Sequence, residues 1–342
     1  MRKFKFFLDS GWIFGKKLDL ALFVGMLFIL FLIQKYLSIE NSGFYLGSGL
    51  ALTANFLYLS FLDVPHAVAS FYQVYKPNNR KNFTLLKLCT PIIIVAVIFP
   101  VVLFSKSFAY SVVTYFNIFH FIRQQYGWIR FSQDKSNLQL SAAQSFSDKI
   151  LIYVLTLVPV MMLHVGAQAQ ATDWMFENDL FIISSQSVYF LLDIFFWLVV
   201  LSYTAFQIKL IHRGLCYPLG KLVILISTGI AWYGGLVCLQ NSEQTLMLDG
   251  LHVVPYLVLV YVFNKSKGKA FYYIPLLAVG LVWALLFLHF DSNDSIPAAL
   301  VISALISIAI SHYVFDGFVW KTKTPNADLN EFLSSDKSIA KQ

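Results

Sequence analysis

Charge is what this sequence has least of. Only 13% of its 342 residues are Asp, Glu, Lys or Arg, against about 25% in a soluble domain. That is too few to coat a globular surface in water. Cysteine is scarce as well. Cys89, Cys216 and Cys238 fall in separate segments with no C-x-x-C spacing, which excludes a disulfide framework or a thiolate metal site. There is no H-E-x-x-H, no G-x-S-x-G and no G-x-x-x-x-G-K-[ST], so zinc-protease, hydrolase-elbow and P-loop chemistries are set aside. No basic patch accompanies the net charge of +7. The Lys and Arg residues sit in short loops between apolar runs, which reads as membrane topology rather than nucleic-acid binding.

What fills the chain instead is hydrocarbon. Hydrophobic residues make up 58%, with 33 Phe, 18 Tyr and 7 Trp. Apolar runs of about twenty residues, each long enough for the roughly 30 Å bilayer core, recur at 18–36, 46–75, 85–104, 108–131, 150–168, 188–211, 219–239, 245–263, 272–290 and 296–320. The expected fold is all-α: a polytopic membrane bundle of about ten transmembrane helices over 1–323, followed by a polar, poorly ordered tail over 324–342. The inner loop 132–149 has room for a short interfacial helix. The basic start Met1-Arg2-Lys3-Phe4-Lys5 precedes a full-length run with no small-residue cleavage site, so it reads as an anchor and not a signal peptide.

Loop charges alternate along the chain. One set holds Arg2, Lys3, Lys5, Lys16, Lys17, then Lys76, Arg80, Lys81, then Arg130, Lys135, then Arg213, Lys221, then Lys265, Lys267, Lys269, and finally Lys321, Lys323. The opposite set holds Glu40, Asp173, Glu177, Asp179, Glu243, Asp291 and Asp294, with Lys106 the exception. Positive residues mark the cytoplasmic side, so both termini are expected inside. The expected location is a multi-pass cell membrane, the cytoplasmic membrane in a bacterium.

Ionisable residues inside spans are costly, and each is a functional hypothesis. Four places carry them: Asp63-Val-Pro-His66, Asn117-Ile-Phe-His120 running on to Arg123-Gln124, Asp249-Gly-Leu-His252, and His312-Tyr-Val-Phe-Asp316. A lone membrane histidine is usually a packing residue. These four, however, all lie on even-numbered spans and stand nine to thirteen residues before a basic flank (66 to 76, 120 to 130, 252 to 265, 312 to 321). At about 1.5 Å per residue they share a depth of roughly 14 to 20 Å. The spacings Asp63/His66, Asp249/His252, His312/Asp316 and His120/Gln124 put each pair on one helix face. His66, His120, His252 and His312 are therefore the candidate metal ligands, with Asp63, Asp249, Asp316 and Gln124 as further ligands or orienting groups. Imidazole with carboxylate suits iron, and also zinc or manganese. Phe119, Phe121, Tyr126, Tyr256 and Tyr313 are expected to line an apolar cavity. His164, His212 and His289 read as interfacial packing, Asp193 as solvated, and Arg123 as snorkelling inward.

The segments starting at His120 and His312 align without gaps to Trp128 and Trp320, an echo compatible with duplication of a helix pair. The histidine boxes of membrane desaturases are missing. At His66, His120, His252 and His312 the chain resembles the bacterial membrane carotene dioxygenases of the Brp/Blh type. The resemblance implies a multispan fold, a histidine-held iron within the bilayer, and oxidative cleavage of a lipophilic substrate such as β-carotene. It covers architecture and those four histidines; the family's His-Gly-x-x-Asp signature has no counterpart here. A more distant likeness is to haem-handling proteins such as haem A synthase. Two rival expectations follow: bis-histidine haem ligation, and a proton- or ion-coupled transporter with Pro65 and Pro255 breaking helices at its site.

Overall fold

The computed structural model describes residues 10–37, 56–75, 85–136, 140–166, 174, 176, 179–215, 217–239, 244–266, 273–321 and 327–334. Among the described residues there is no strand. Helix α1 runs from Lys16–Leu20 through a π turn at Ala21–Gly25 into Met26–Leu37, and α2 from a π turn at Leu59–Asp63 into Val64–Tyr75. Then follow α3 (Leu85–Phe104), α4 (Lys106–Ser136), α5 (Ala142–Val165) and α6 (Gln186–His212). Helix α7 joins Leu219–Gly229 to a π segment, Ile230–Leu239. Helices α8 (Gln244–Ser266), α9 (Tyr273–Asp291), α10 (Ile296–Val319) and the short α11 (Ala327–Ser334) complete the chain.

Seven helices, α3 and α5 to α10, are long and apolar enough to cross a membrane. Their outward side chains are large and greasy: Phe104, Ile92, Leu191, Ile274 and Ile296 are among the most exposed residues. A surface so apolar is stable only against hydrocarbon. The chain is a helical protein embedded in a membrane. Helix α4 falls short of the apolar threshold because Asn117, His120, Arg123, Gln124 and Gln125 occupy its middle. The same dilution by Asp63, His66, Ser70 and Gln73 affects α2.

Two prolines shape the site helices. Pro65 has no N–H to offer the carbonyl four residues back, and that carbonyl, Phe61 O, accepts the Tyr273 hydroxyl of α9 instead. α9 reaches this close because Gly280 lies on Ser60; a Cβ there would overlap the Ser60 carbonyl oxygen. In α8, Pro255 likewise offers no N–H to Leu251 O, and the Gln124 amide of α4 donates to the next carbonyl, His252 O, at 2.9 Å.

The loop expected over 132–149 is mostly helix. Helix α4 continues to Ser136, and α5 starts early because Ser141 and Gln144 form a reciprocal capping box. The two make an antiparallel hairpin. At its base Asp148, 0% exposed, accepts from Lys221 Nζ (2.8 Å), Gln133 (2.7 Å) and Tyr203 (2.7 Å). Tyr203 bonds in turn to Tyr217, whose phenol is pushed above its ordinary pKa by burial and by the charge of Asp148. Part of the tail expected to lack order is helix α11. Leu329, Phe332 and Leu333 form one apolar face that is buried, and Lys135 Nζ donates to Phe332 O at 2.9 Å. The loop charges Arg2, Lys3, Lys5, Glu40, Lys76, Arg80, Lys81, Asp173, Glu177, Glu243, Lys267, Lys269 and Lys323 lie outside the described residues, as does Cys216.

Candidate metal centre

Four helices, α2, α4, α8 and α10, each send one imidazole to a common point. His66, His120, His252 and His312 are 4%, 5%, 1% and 0% exposed. Their rings form a closed circuit. Centroids are 4.7 Å apart for His66–His252, 4.9 Å for His252–His120, 4.6 Å for His120–His312 and 4.6 Å for His312–His66, with 6.1 Å across the circuit from His252 to His312. Neighbouring rings stand nearly perpendicular, at 70° to 88°.

The hydrogen bonds fix which nitrogens carry lone pairs. A carbonyl can only accept, so His66 Nδ1–H donates to Asp63 O, and His66 Nε2 is left as an acceptor. Ser70 donates to Asp316 Oδ1 at 2.6 Å, and Tyr256 OH donates to the same oxygen at 2.7 Å. The Ser70 oxygen therefore accepts from His312 Nδ1–H at 2.7 Å, and His312 Nε2 keeps its lone pair with no hydrogen-bond partner. His120 Nε2 and His252 Nδ1 also lack hydrogen-bond partners. A buried polar atom without a partner is expensive, and here three such nitrogens gather in one place.

The donor set fits a metal ion. Imidazole nitrogens bind zinc at about 2.0–2.1 Å, so two ligands of a tetrahedral ion lie about 3.3 Å apart. His66 Nε2 accepts from His252 Nε2–H at 2.9 Å, a hydrogen bond that an ion bound between the two rings would replace. Two groups have ligand atoms all within 4.8 Å of one another: His66, His252 and His312, and His120, His312 and Asp316.

Polar groups line both sides of the imidazole layer. One turn after each histidine in the chain stands Ser70, Gln124, Tyr256 or Asp316. Asp316 Oδ2 is 3.9 Å from His120 Nε2, and Trp320 Nε1 donates to the Tyr256 hydroxyl at 3.2 Å. Three residues before three of the histidines stand Asp63, Asn117 and Asp249. Here Asp63 and Asp249 lie close enough for their charges to interact, with Tyr313 beside both and hydrogen-bonded to Asn117.

The candidates thus sort by contact. Asp63 holds His66 through its carbonyl, and its carboxylate is 3.5 Å from the same Nδ1. Asp316 reaches His312 through Ser70. Asp249 is buried on the same helix, yet no hydrogen bond joins it to His252, whose Nδ1 is left without a partner. Gln124 serves the His252 backbone, not a ring. Among the aromatics, Phe121 stacks on His252 at 4.1 Å, Tyr313 on His120 at 4.3 Å, and Tyr256 meets His312 at 5.5 Å. Phe119 points outward, 60% exposed, and Tyr126 stacks on Tyr153 away from the centre. Ser70 and Trp320 were the polar partners that composition hid, and Tyr256, expected as apolar lining, donates its hydroxyl to Asp316. Their signal is the i, i+4 step from His66, His252 and Asp316.

His164, Asp193 and Arg123 have local partners. His164 bonds to Tyr115 OH (2.8 Å) and Val160 O (2.7 Å). Asp193, expected to be solvated, accepts from the Tyr233 hydroxyl at 2.6 Å. Arg123 donates to Tyr153 OH at 2.6 Å, reaching toward the start of α5.

Comparison with protein-family models, with curated proteins and with solved structures gives no match to this chain.

Proposed function

We propose that this protein is an intramembrane metal-dependent oxygenase, loaded with iron, that acts on a lipophilic substrate such as a carotenoid or another lipid. One observation carries the reading: four buried imidazoles from four helices meet in a circuit, and three of their nitrogens have no protein partner. His66, His120, His252 and His312 hold the metal. Zinc or manganese meets the same donor set. The bound metal supplies binding and activation of O₂, which imidazole alone does not.

The chain's own residues do the rest. Asp63 O and the Ser70–Asp316 pair hold the His66 and His312 tautomers, so that lone pairs face inward. Tyr256 and Trp320 fix the Asp316 carboxylate. Phe121 and Tyr313 pack against ring faces and exclude water from the imidazole layer. Asp63 and Asp249, with Tyr313, offer exchangeable protons beside it. A substrate reaches this layer sideways through the bilayer. Oxidative cleavage of one C=C by one O₂ leaves two carbonyls, each with one oxygen atom. The fuller topology belongs to the same proposal: ten spans with both termini cytoplasmic, in the cell membrane, which in a bacterium is the cytoplasmic membrane.

The test is elemental analysis of protein purified in detergent. About one or more iron per chain is expected, falling at least tenfold in His66→Ala and His312→Ala. Iron, zinc and manganese all at background overturn the reading. Haem fits the geometry poorly. His252 and His312 face each other with centroids 6.1 Å apart, but the rings of His66 and His120 stand 4.6 to 4.9 Å from both, where the porphyrin plane would have to lie. No Soret band is expected. A proton-coupled transporter is the second reading. The observation favouring it is the connected run His312–Ser70–Asp316–Tyr256, a chain of exchangeable protons inside the membrane. It predicts solute uptake that survives a chelator.

A further inference from the structure

We infer that the groove between α4 and α5 is a binding site for the phosphate headgroup of an anionic phospholipid. This rests on the membrane placement of the chain and not on the metal reading.

The two helices form an antiparallel hairpin whose register is fixed by three contacts. Tyr115 meets His164, Tyr126 stacks on Tyr153 at 5.8 Å, and Gln133 meets Asp148. That register puts Arg130 level with Lys149. The outward face of α4 reads Phe116, Phe119, Arg123, Gly127, Arg130, each three or four residues after the last and so on one face. On α5, Lys149 and Tyr153 are one turn apart in the same way, with Leu157 and Met161 following toward the other end.

Three features make this a headgroup site rather than a stray charge. First, cations without protein counter-charges sit in it. Arg123 is exposed, donates one N–H to Tyr153 OH at 2.6 Å and stands over the Tyr126 ring at 5.5 Å, and among the described residues no carboxylate pairs with it. Lys149 is exposed and has no partner among the described residues. Arg130 is partly compensated by Asp134 at 3.6 Å and donates to Gln133 at 2.7 Å. Second, there is room. A Cβ on Gly127, midway between the two arginines, would meet nothing within 4 Å. Arg123 and Arg130 are seven residues apart, about 10 Å along the axis, a span that two long side chains close onto one phosphate. Third, the groove continues as hydrocarbon. Phe116, Phe119, Leu157 and Met161 are 48%, 60%, 44% and 44% exposed, a surface for acyl chains. Basic pockets between transmembrane helices at the cytoplasmic side take acidic headgroups for this reason. Charge complementarity with a hydrocarbon extension selects a lipid over a soluble anion.

The test uses delipidated full-length protein in neutral detergent, titrated with phosphatidylglycerol or phosphatidylcholine of matched chains and read by native mass spectrometry. Phosphatidylglycerol is expected to bind about tenfold tighter. Arg123→Gln combined with Lys149→Gln, and separately Gly127→Leu, are expected to bring that preference below threefold while helix content and elution volume stay native. Lys149→Gln alone changes only an exposed side chain and carries the test if the others do not purify. Equal binding of the two lipids overturns the site, as does an unchanged preference in the variants. Displacement of phosphatidylglycerol by millimolar inorganic phosphate overturns the lipid assignment in favour of a free anion. His120→Ala, which removes a proposed metal ligand, should leave the lipid preference intact, so the two proposals fail separately.

Discussion

Ser70 is a small residue with a large share of the site. Its oxygen accepts from His312 Nδ1 while its hydroxyl donates to Asp316, so one side chain sets both the His312 tautomer and the carboxylate's position. Ser70→Ala deletes no proposed ligand and leaves a void of one oxygen atom. On the proposed metal reading, iron affinity is expected to drop about 10- to 100-fold, the usual cost of losing an outer partner of a metal-bound histidine. Iron titration of the chelated protein measures it, and an affinity equal to that of the unaltered protein would remove Ser70 from the site. At this scale the sequence was partly transparent. An ionisable side chain in an apolar run is conspicuous, so His66, His120, His252 and His312 could be picked out by eye. Ser70 could not, because hydroxyls are common in membrane helices and cost little there. Asp249 shows the opposite limit. Spacing fixes the face of a helix that a side chain shares, but not which neighbour it meets across the gap.

At the scale of whole helices, positioning rests on close approaches. Gly280 lets α9 lie against the π turn of α2, where Tyr273 satisfies the carbonyl that Pro65 releases. Gly280→Leu must push α9 off Ser60. The expected result is a loss of about 1–3 kcal/mol, read as a lower thermal midpoint in detergent, together with reduced metal content because His66 follows that turn. Asp148 ties α5 to α4, α6 and α7. Removing one partner of a fully buried ion pair costs about 3–5 kcal/mol, so Asp148→Ala, which strands Lys221 at 1% exposure, should be the more damaging change in the same melt. A melt within experimental error of the unaltered protein would show that the network does not hold the hairpin. The helical class was plain from hydropathy. The π turns, the early start of α5 and the docking of α11 were not, since each depends on a specific contact (a freed carbonyl, a capping box, an aromatic seat on Phe263) that no periodicity encodes.

Over the whole molecule, the centre joins the distant parts of the chain. Ser70 and Asp316 bond across 246 residues of sequence, and the intervening helices contribute the other two imidazoles. Stability and function are therefore distributed differently: the hairpin of α4 and α5 is local, whereas the histidine circuit is the most non-local feature of the fold. Translation at about 5–20 residues per second leaves roughly 12–50 s between the emergence of His66 and that of His312. Throughout that interval the earlier imidazoles wait in the bilayer without their last companion. On the proposed metal reading, loading then comes after synthesis, and a ribosome that stalls before α10 leaves behind a half-built chain exposing polar groups to lipid.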